Sequence, residues 1–325
     1  MGETKLPERL TPQQSKEILI AVEQGFDKQV EFTQQLMAYP SLRGQEHLAQ
    51  EFLYQTLDDR GYEMDRWAID VDEISSHPGF SPVKVDYTNA INVVATHHPE
   101  SAIGRSLILN GHIDVVPTGP ETMWNTPPFQ PTINGDWLYG RGGADMKAGL
   151  VANIAALDAL RGIGMQPAAQ VCLQSVTEEE CTGNGALSCL VRGYRADAVL
   201  IPEPEENMLV RANVGVIWFR LHVRGRPIHV REASSGANAI EATFYLFQAL
   251  KQLEEEWNSR NQSYRYFEAL DHPINFNLGK IEGGDWASSV PSWCTADIRV
   301  AIYPGVDPRD ASKEIEDCVA RASRH

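Results

Sequence analysis

The sequence predicts an α/β domain followed by a smaller α+β domain, and three observations carry that expectation. Short apolar runs of strand length alternate with helical patterns through the first part of the chain. Past Asn213 the pattern changes to alternating, aromatic-containing strands separated by long amphipathic helices. At 325 residues the chain is long enough for two domains with cores of their own. The predicted domains are 1–212 and 213–325.

The elements follow in order. Thr11-Pro12-Gln13-Gln14 reads as a helix start with a capping box, and Ile18, Leu19, Val22, Phe26 and Val30 follow at helical spacing. A second helix is expected from about Glu46 to Arg60, stopped by Gly61. The Ser-, Pro- and Gly-rich stretch from Asp72 to Val83 reads as a loop. Ala90 to Ala95, Ser106 to Leu109, Gln170 to Val176 and Ala198 to Ile201 are strands, and Gly149 to Leu160 is a helix. These make an α/β sheet, at least partly parallel, with helices covering its faces. In the second domain, strands are expected at Val214 to Val223, Asn275 to Ile281 and Ser292 to Ala301. Helices are expected from about Ala239 to Ser259 and from Pro308 to about Ala322.

Composition excludes several functions. A formal net charge of −16 with no clustered basic face argues against nucleic acid as a partner. No apolar run approaches the roughly 20 residues that span a bilayer. Met1 to Pro7 contains no apolar stretch of secretory type, and the five cysteines form no Cys-x-x-Cys pair. A reduced, cytoplasmic protein is the expectation.

Three predicted strands each end in a candidate metal ligand. Leu107-Ile108-Leu109-Asn110-Gly111 runs into His112, Val171 to Val176 runs into Glu178-Glu179-Glu180, and Ala198 to Ile201 runs into Pro202-Glu203-Pro204. Sites in α/β sheets form beyond the carboxyl ends of strands. A glycine-rich turn, Gly140-Arg141-Gly142-Gly143-Ala144, adds Asp145. Two divalent cations sharing a water need a bridging carboxylate, further carboxylates and neutral imidazoles. A carboxylate that binds no metal must take the water's proton and return it to the leaving group. His112, Asp145, Glu180 and Glu203 can serve as ligands, Glu179 as the base, and Asp114 as acceptor for the other imidazole N–H. Each has a plainer reading: a core histidine, a solvated acidic edge, a helix cap. The ordered convergence of all of them favours the metal site.

Gly111-His112-Ile113-Asp114-Val115-Val116-Pro117, Trp124 with Pro128-Phe129, Leu138 to Lys147, Glu178-Glu179-Glu180 with Gly185, and Pro202-Glu203-Pro204 stand in a familiar order. In these motifs the chain resembles the co-catalytic zinc metallopeptidases that include acetylornithine deacetylase, succinyl-diaminopimelate desuccinylase, aminoacylase and carboxypeptidase G. The resemblance implies a zinc-peptidase-like catalytic domain with a mostly parallel mixed sheet, and a ferredoxin-like lid and dimerisation domain. It implies two zinc ions, His112 and Glu203 holding one, Glu180 the other, and Asp145 bridging. Glu179 would be general acid/base, Asp114 the partner of His112, and the peptide after Asp145 cis. Gly225 to His229 with Asn238-Ala239 resembles the lid segment, so His229 would reach a neighbouring subunit's site in a homodimer and stabilise the tetrahedral intermediate. The implied substrate is a small N-acyl amino acid or peptide, cleaved at its amide bond by a water that the cations make acidic.

The sequence also departs from the family. The resemblance implies a final histidine ligand supplied after the lid. The sequence ends at Ala322-Ser323-Arg324-His325, where His325 reads as a tail residue, so the catalytic domain is expected to be incomplete. The rival expectation is therefore an inactive truncated paralogue or fragment that keeps the fold. Ser289 stands where many relatives carry Asn, which leaves oxyanion contacts there open. Arg299 suits either a substrate carboxylate or the surface. Mixed imidazole and carboxylate ligands suit zinc and also admit cobalt or manganese. Ser81-Pro82-Val83-Lys84, Gly140 to Gly143 as a dinucleotide loop, Cys181 as a thiolate ligand, and His97-His98 as more than surface loop are set aside.

Overall fold

The computed structural model describes residues 10–324; the Met1 to Pro7 stretch and His325 lie outside the described residues. The chain divides into two compact units, Met1–Asn207 and Met208–His325.

The first unit opens with α1 (Pro12–Met37) and α2 (His47–Asp58). It continues through β1 (Glu63–Ala68), the single turn α3 (Val71–Ile74), β2 (Ile91–His97) and β3 (Leu107–His112). A small hairpin, β4 (Thr132–Asn134) and β5 (Trp137–Tyr139), precedes α4 (Ala148–Gly162), β6 (Val171–Val176), α5 (Asn184–Arg192) and β7 (Ala198–Leu200). The main sheet has the order β1-β2-β6-β3-β7. β3 pairs in parallel with both β6 and β7, whereas β2 pairs antiparallel with both β1 and β6. It is thus a mixed sheet in which β2 alone runs against the others. The carboxyl ends of β3, β6 and β7 therefore lie along the same edge.

Alternation along the strands explains how both faces are covered. Val93, Ala95, Leu109 and Leu173 join Leu36, Leu53, Leu150 and Ile154 of α1, α2 and α4 in one core. Their neighbours Val94, Ile108 and Cys172 point the other way, packing with Cys189 of α5. The capping box of α1 is present, with Thr11 and Gln14 bonding reciprocally. Its expected apolar face is not buried, however: Leu19 and Phe26 remain 69% and 56% exposed. Only the last turns, with Thr33, Leu36 and Met37, reach the core. His97 also differs from its reading as surface loop: it ends β2, and its Nε2 lies 2.9 Å from the carbonyl oxygen of Pro167.

The second unit comprises β8 (Gly215–Arg224), α6 (Ala239–Asn258), β9 (Phe276–Gly283), β10 (Trp293–Ile302) and α7 (Pro308–Ala322). Its antiparallel sheet has the order β8-β10-β9. Its elements follow one another as β-α-β-β-α. Ile298 and Val300 of β10 pack on Leu250, Leu253 and Trp257 of α6 and on Ile315 and Cys318 of α7. Asn238 caps α6 by accepting from the amides of Ile240 and Glu241. Among the described residues no helix is long and apolar enough to cross a membrane, and all five thiols are free.

Candidate active site

The acid-rich corner of the first unit is assembled where β3, β6 and β7 end. His112 is the last residue of β3 and is fully buried, so its imidazole needs partners. Its Nδ1 lies 2.8 Å from the backbone carbonyl of Asp114 and 3.6 Å from that residue's carboxylate. The carbonyl thus fixes Nδ1 as a donor and turns Nε2 outward. Nε2 faces carboxylates: Asp145 Oδ1 at 3.0 Å, Glu203 Oε1 at 3.4 Å and Glu179 Oε2 at 3.9 Å.

Asp145 arrives from the glycine turn. Gly142 has φ +77°, and a Cβ there would stand 2.6 Å from Val115 Cγ1, so the turn requires glycine. The Asp145–Met146 peptide is cis, as the resemblance implies. Gly149, in the first turn of α4, lies so near the Glu203 segment that a Cβ would meet Pro202 O at 2.3 Å. Met146 and Lys147 are buried beneath; the Lys147 ammonium donates to the carbonyls of Leu36 and Tyr39, and burial pushes its pKa down to about 7.

Asp114 has a different use for its carboxylate. It accepts the amides of Glu179 (3.3 Å) and Glu180 (3.2 Å), tying the β6 turn to the β3 end. Burial raises its pKa in spite of His112 and those two amides. Burial and the nearby Asp145 carboxylate push Glu180 up to about 7. Glu179 also rises through burial, with Glu203, Asp114 and Asp145 adding to the push against the opposing charge of His112. Burial alone would depress His112, but Glu203, Asp114 and Glu179 raise it to about 10. Burial is the first cause of the carboxylate shifts, and the surplus of negative charge adds to it at Glu179 and Glu180 and outweighs it at His112. Burial lifts the Cys181 thiol to about 11, which does not favour a thiolate.

One nitrogen of His112 and one oxygen each of Asp145 and Glu203 lie within 4.8 Å of one another, a group able to hold a metal ion. Among the described residues no Lys or Arg is paired with Asp145, Glu179 or Glu203. Of the residues flagged in the second unit, His229 and Ser289 stand opposite each other in an isolated antiparallel bridge. The Val230 amide donates to Ser288 and the Val290 amide to Ile228. His229 Nδ1 accepts the Arg231 amide, and the ring is exposed. Arg299 lies elsewhere, in the middle of β10 between Trp218 and Asn277. Arg43, Tyr87 and the burial of Glu178 escape the sequence reading, which gives the acidic run a solvated alternative.

An imidazole and carboxylates gathered at the strand ends of a mixed α/β sheet are donors of the kind that metal-dependent hydrolases use. Peptidase family M20/M25/M40 matches residues 108–320, and the chain belongs to that family. It is 30% identical over 316 residues to an N-formyl-4-amino-5-aminomethyl-2-methylpyrimidine deformylase of Halalkalibacterium halodurans, covering 93% of this chain and 69% of that one. A succinyl-diaminopimelate desuccinylase of Alkalilimnicola ehrlichii is 32% identical over 224 residues, covering 65% of this chain and 56% of its own. Human carnosine dipeptidase 1 shares the fold with a TM-score of 0.70 at 16% identity, covering 95% of this chain and 77% of that one.

Proposed function

We propose that the chain is a two-metal amidohydrolase that removes a small acyl group from an N-acyl amine or amino acid, or cleaves a small peptide. The observation that carries this reading is the convergence of His112 Nε2 with the carboxylates of Asp145 and Glu203. The donor set fits divalent cations: one neutral-capable imidazole, several carboxylates and no competing ammonium or guanidinium among the described residues. His112 and Glu203 would hold one zinc, Glu180 would hold the other, and Asp145 would bridge. Cobalt and manganese suit the same donors. Cations bound there would supply charge to polarise a carbonyl and to acidify a water.

Glu179 is the residue left to move the proton. It takes a proton from the attacking water and delivers it to the departing amine. Its carboxylate lies 3.9 Å from His112 Nε2 and its amide is held by Asp114, which keeps it beside the group. His229 would reach the site of a neighbouring copy and stabilise the tetrahedral intermediate there, Ser289 and Arg299 would contact substrate, and the second unit would pair with another copy. The relatives named for deformylation and desuccinylation support an N-acyl compound as the first substrate class to test.

The full chain, loaded with zinc, is tested for metal content by elemental analysis. Amine release is then followed from a panel of N-formyl, N-acetyl and N-succinyl amino acids and dipeptides. Two zinc ions per chain and amine release are expected. Glu179→Ala should lower turnover by about 10²–10⁴-fold while keeping the metal. Near-normal turnover of that variant would overturn its role, and a chain that binds no metal would overturn the whole reading.

A further inference from the structure

The turn that presents Glu179 and Glu180 is fastened from behind by a side-chain network remote in sequence, centred on the buried Glu178. Glu178 is 2% exposed and adopts φ +65°, a left-handed conformation that a non-glycine residue keeps only when its surroundings impose it. Its carboxylate accepts two bonds from the Arg43 guanidinium, Nε at 2.6 Å and Nη2 at 2.7 Å. Tyr87 Oη donates to it at 2.6 Å and Thr182 Oγ1 at 3.0 Å. The Glu178 carbonyl in turn accepts the amides of Thr182 and Gly183. Both ends of this one residue are fixed.

The fastening closes a ring. The next two amides, of Glu179 and Glu180, reach the Asp114 carboxylate, and the Asp114 carbonyl holds His112. Arg43 lies in the loop after α1, where the Ser41 carbonyl accepts the Val115 amide and Ser41 Oγ donates to the Ile113 carbonyl. The β3 end and the β6 turn are therefore joined on one side through Asp114 and on the other through Ser41, Arg43 and Glu178.

We propose that Arg43 and Tyr87, acting through Glu178, are positioning residues that set the direction in which Glu179 and Glu180 face the His112 group. The proposal rests on the metallohydrolase reading above. A planar, bidentate guanidinium fixes the orientation of a carboxylate as a point charge does not. Glu178 is covalently continuous with both of the acids it would aim. Partners at this remove typically change metal affinity or activity by about 10–100-fold. An ion pair that merely steadied the fold would change melting and leave zinc affinity and kcat alone.

The test uses the full chain with three variants, Arg43→Ala, Arg43→Lys and Tyr87→Phe. Zinc affinity is read by competition with a chromophoric chelator, folding by thermal melting, and kcat and KM on the panel substrate turned over fastest. Arg43→Ala is expected to weaken zinc binding and lower kcat about 10–100-fold, with KM within about twofold. Arg43→Lys should recover part of that loss, and Tyr87→Phe should lose up to about tenfold while melting with the parent. Wild-type zinc affinity and kcat in Tyr87→Phe and in a folded Arg43→Ala would overturn the proposal. If Arg43→Ala does not fold, Tyr87→Phe decides alone. Should the parent chain hydrolyse nothing on the panel, the functional reading fails while zinc competition still decides the positioning role.

Discussion

Two clusters in this molecule bring histidine and carboxylate together, and they resolve the burial of charge in opposite ways. In the second unit, Glu254 is fully buried yet completely partnered. It accepts from the Lys251 ammonium, from the amide of Phe276 at 3.0 Å, and lies 2.7 Å from His272 Nε2. In the first unit, one imbalance runs through the whole group. A single buried imidazole faces Asp145, Glu179 and Glu203, with Asp114 and Glu180 behind, and no Lys or Arg among the described residues offsets them. A balanced cluster of this kind holds helix to strand. An unbalanced one, at the carboxyl ends of strands, has the donor chemistry that suits a cation. Residue types alone do not separate the two; charge balance does.

The largest test of that contrast removes one histidine. His112→Ala should weaken zinc binding on the order of 10³-fold, about 4 kcal/mol, because among the described residues it deletes the only imidazole from the group. Glu254→Ala should leave zinc affinity unchanged. It should instead lower the chain's stability to urea by about 2–3 kcal/mol, through the orphaned Phe276 amide and the void left behind. Zinc titration and urea denaturation of both variants check the pair. A loss of zinc affinity in Glu254→Ala would mean that the balanced cluster is not merely structural.

The sequence displays the first cluster better than the frame around it. Ligand chemistry demands rare types at strand ends, so His112, Glu179, Glu180 and Glu203 announce themselves after apolar runs, and Asp145 after its glycines. The supporting partners carry no such signal. Arg43 and Tyr87 reach Glu178 across 135 and 91 residues of chain, and an arginine in a loop looks the same whether it pairs or not. Among elements, the strands with a buried face are legible, whereas β1 is missed because Glu63 to Ala68 is a polar edge strand with little burial to pattern it. α1 errs in the other direction. Leu19, Val22 and Phe26 have the spacing of a buried stripe, but only the last turns of that helix meet the core.

Glu46 offers a third resolution of a buried acid, and a smaller, sharper test. It is fully buried just before α2, and no side chain among the described residues bonds its carboxylate. Among the described residues no cation pairs with it, and burial favours its protonated form. Burial pushes its pKa from 4.5 up to about 7 against the nearby amides of Glu46 and Gly44, and the charges of Asp114 and Glu178 add to the push. The folded pKa lies above the unfolded one, so the folded chain binds this proton more tightly. Its contribution to stability is therefore full below about pH 4.5 and is lost as pH rises through about 7. Glu46→Gln keeps the shape without the ionisation. In metal-free protein the variant should match the parent near pH 4 and exceed it by about 1–3 kcal/mol at pH 8. Urea midpoints at the two pH values measure the difference, and other titrating groups cancel between the two chains. Parallel pH profiles would mean that Glu46 is ionised in the folded chain and has a counter-charge, which would place it with Glu254.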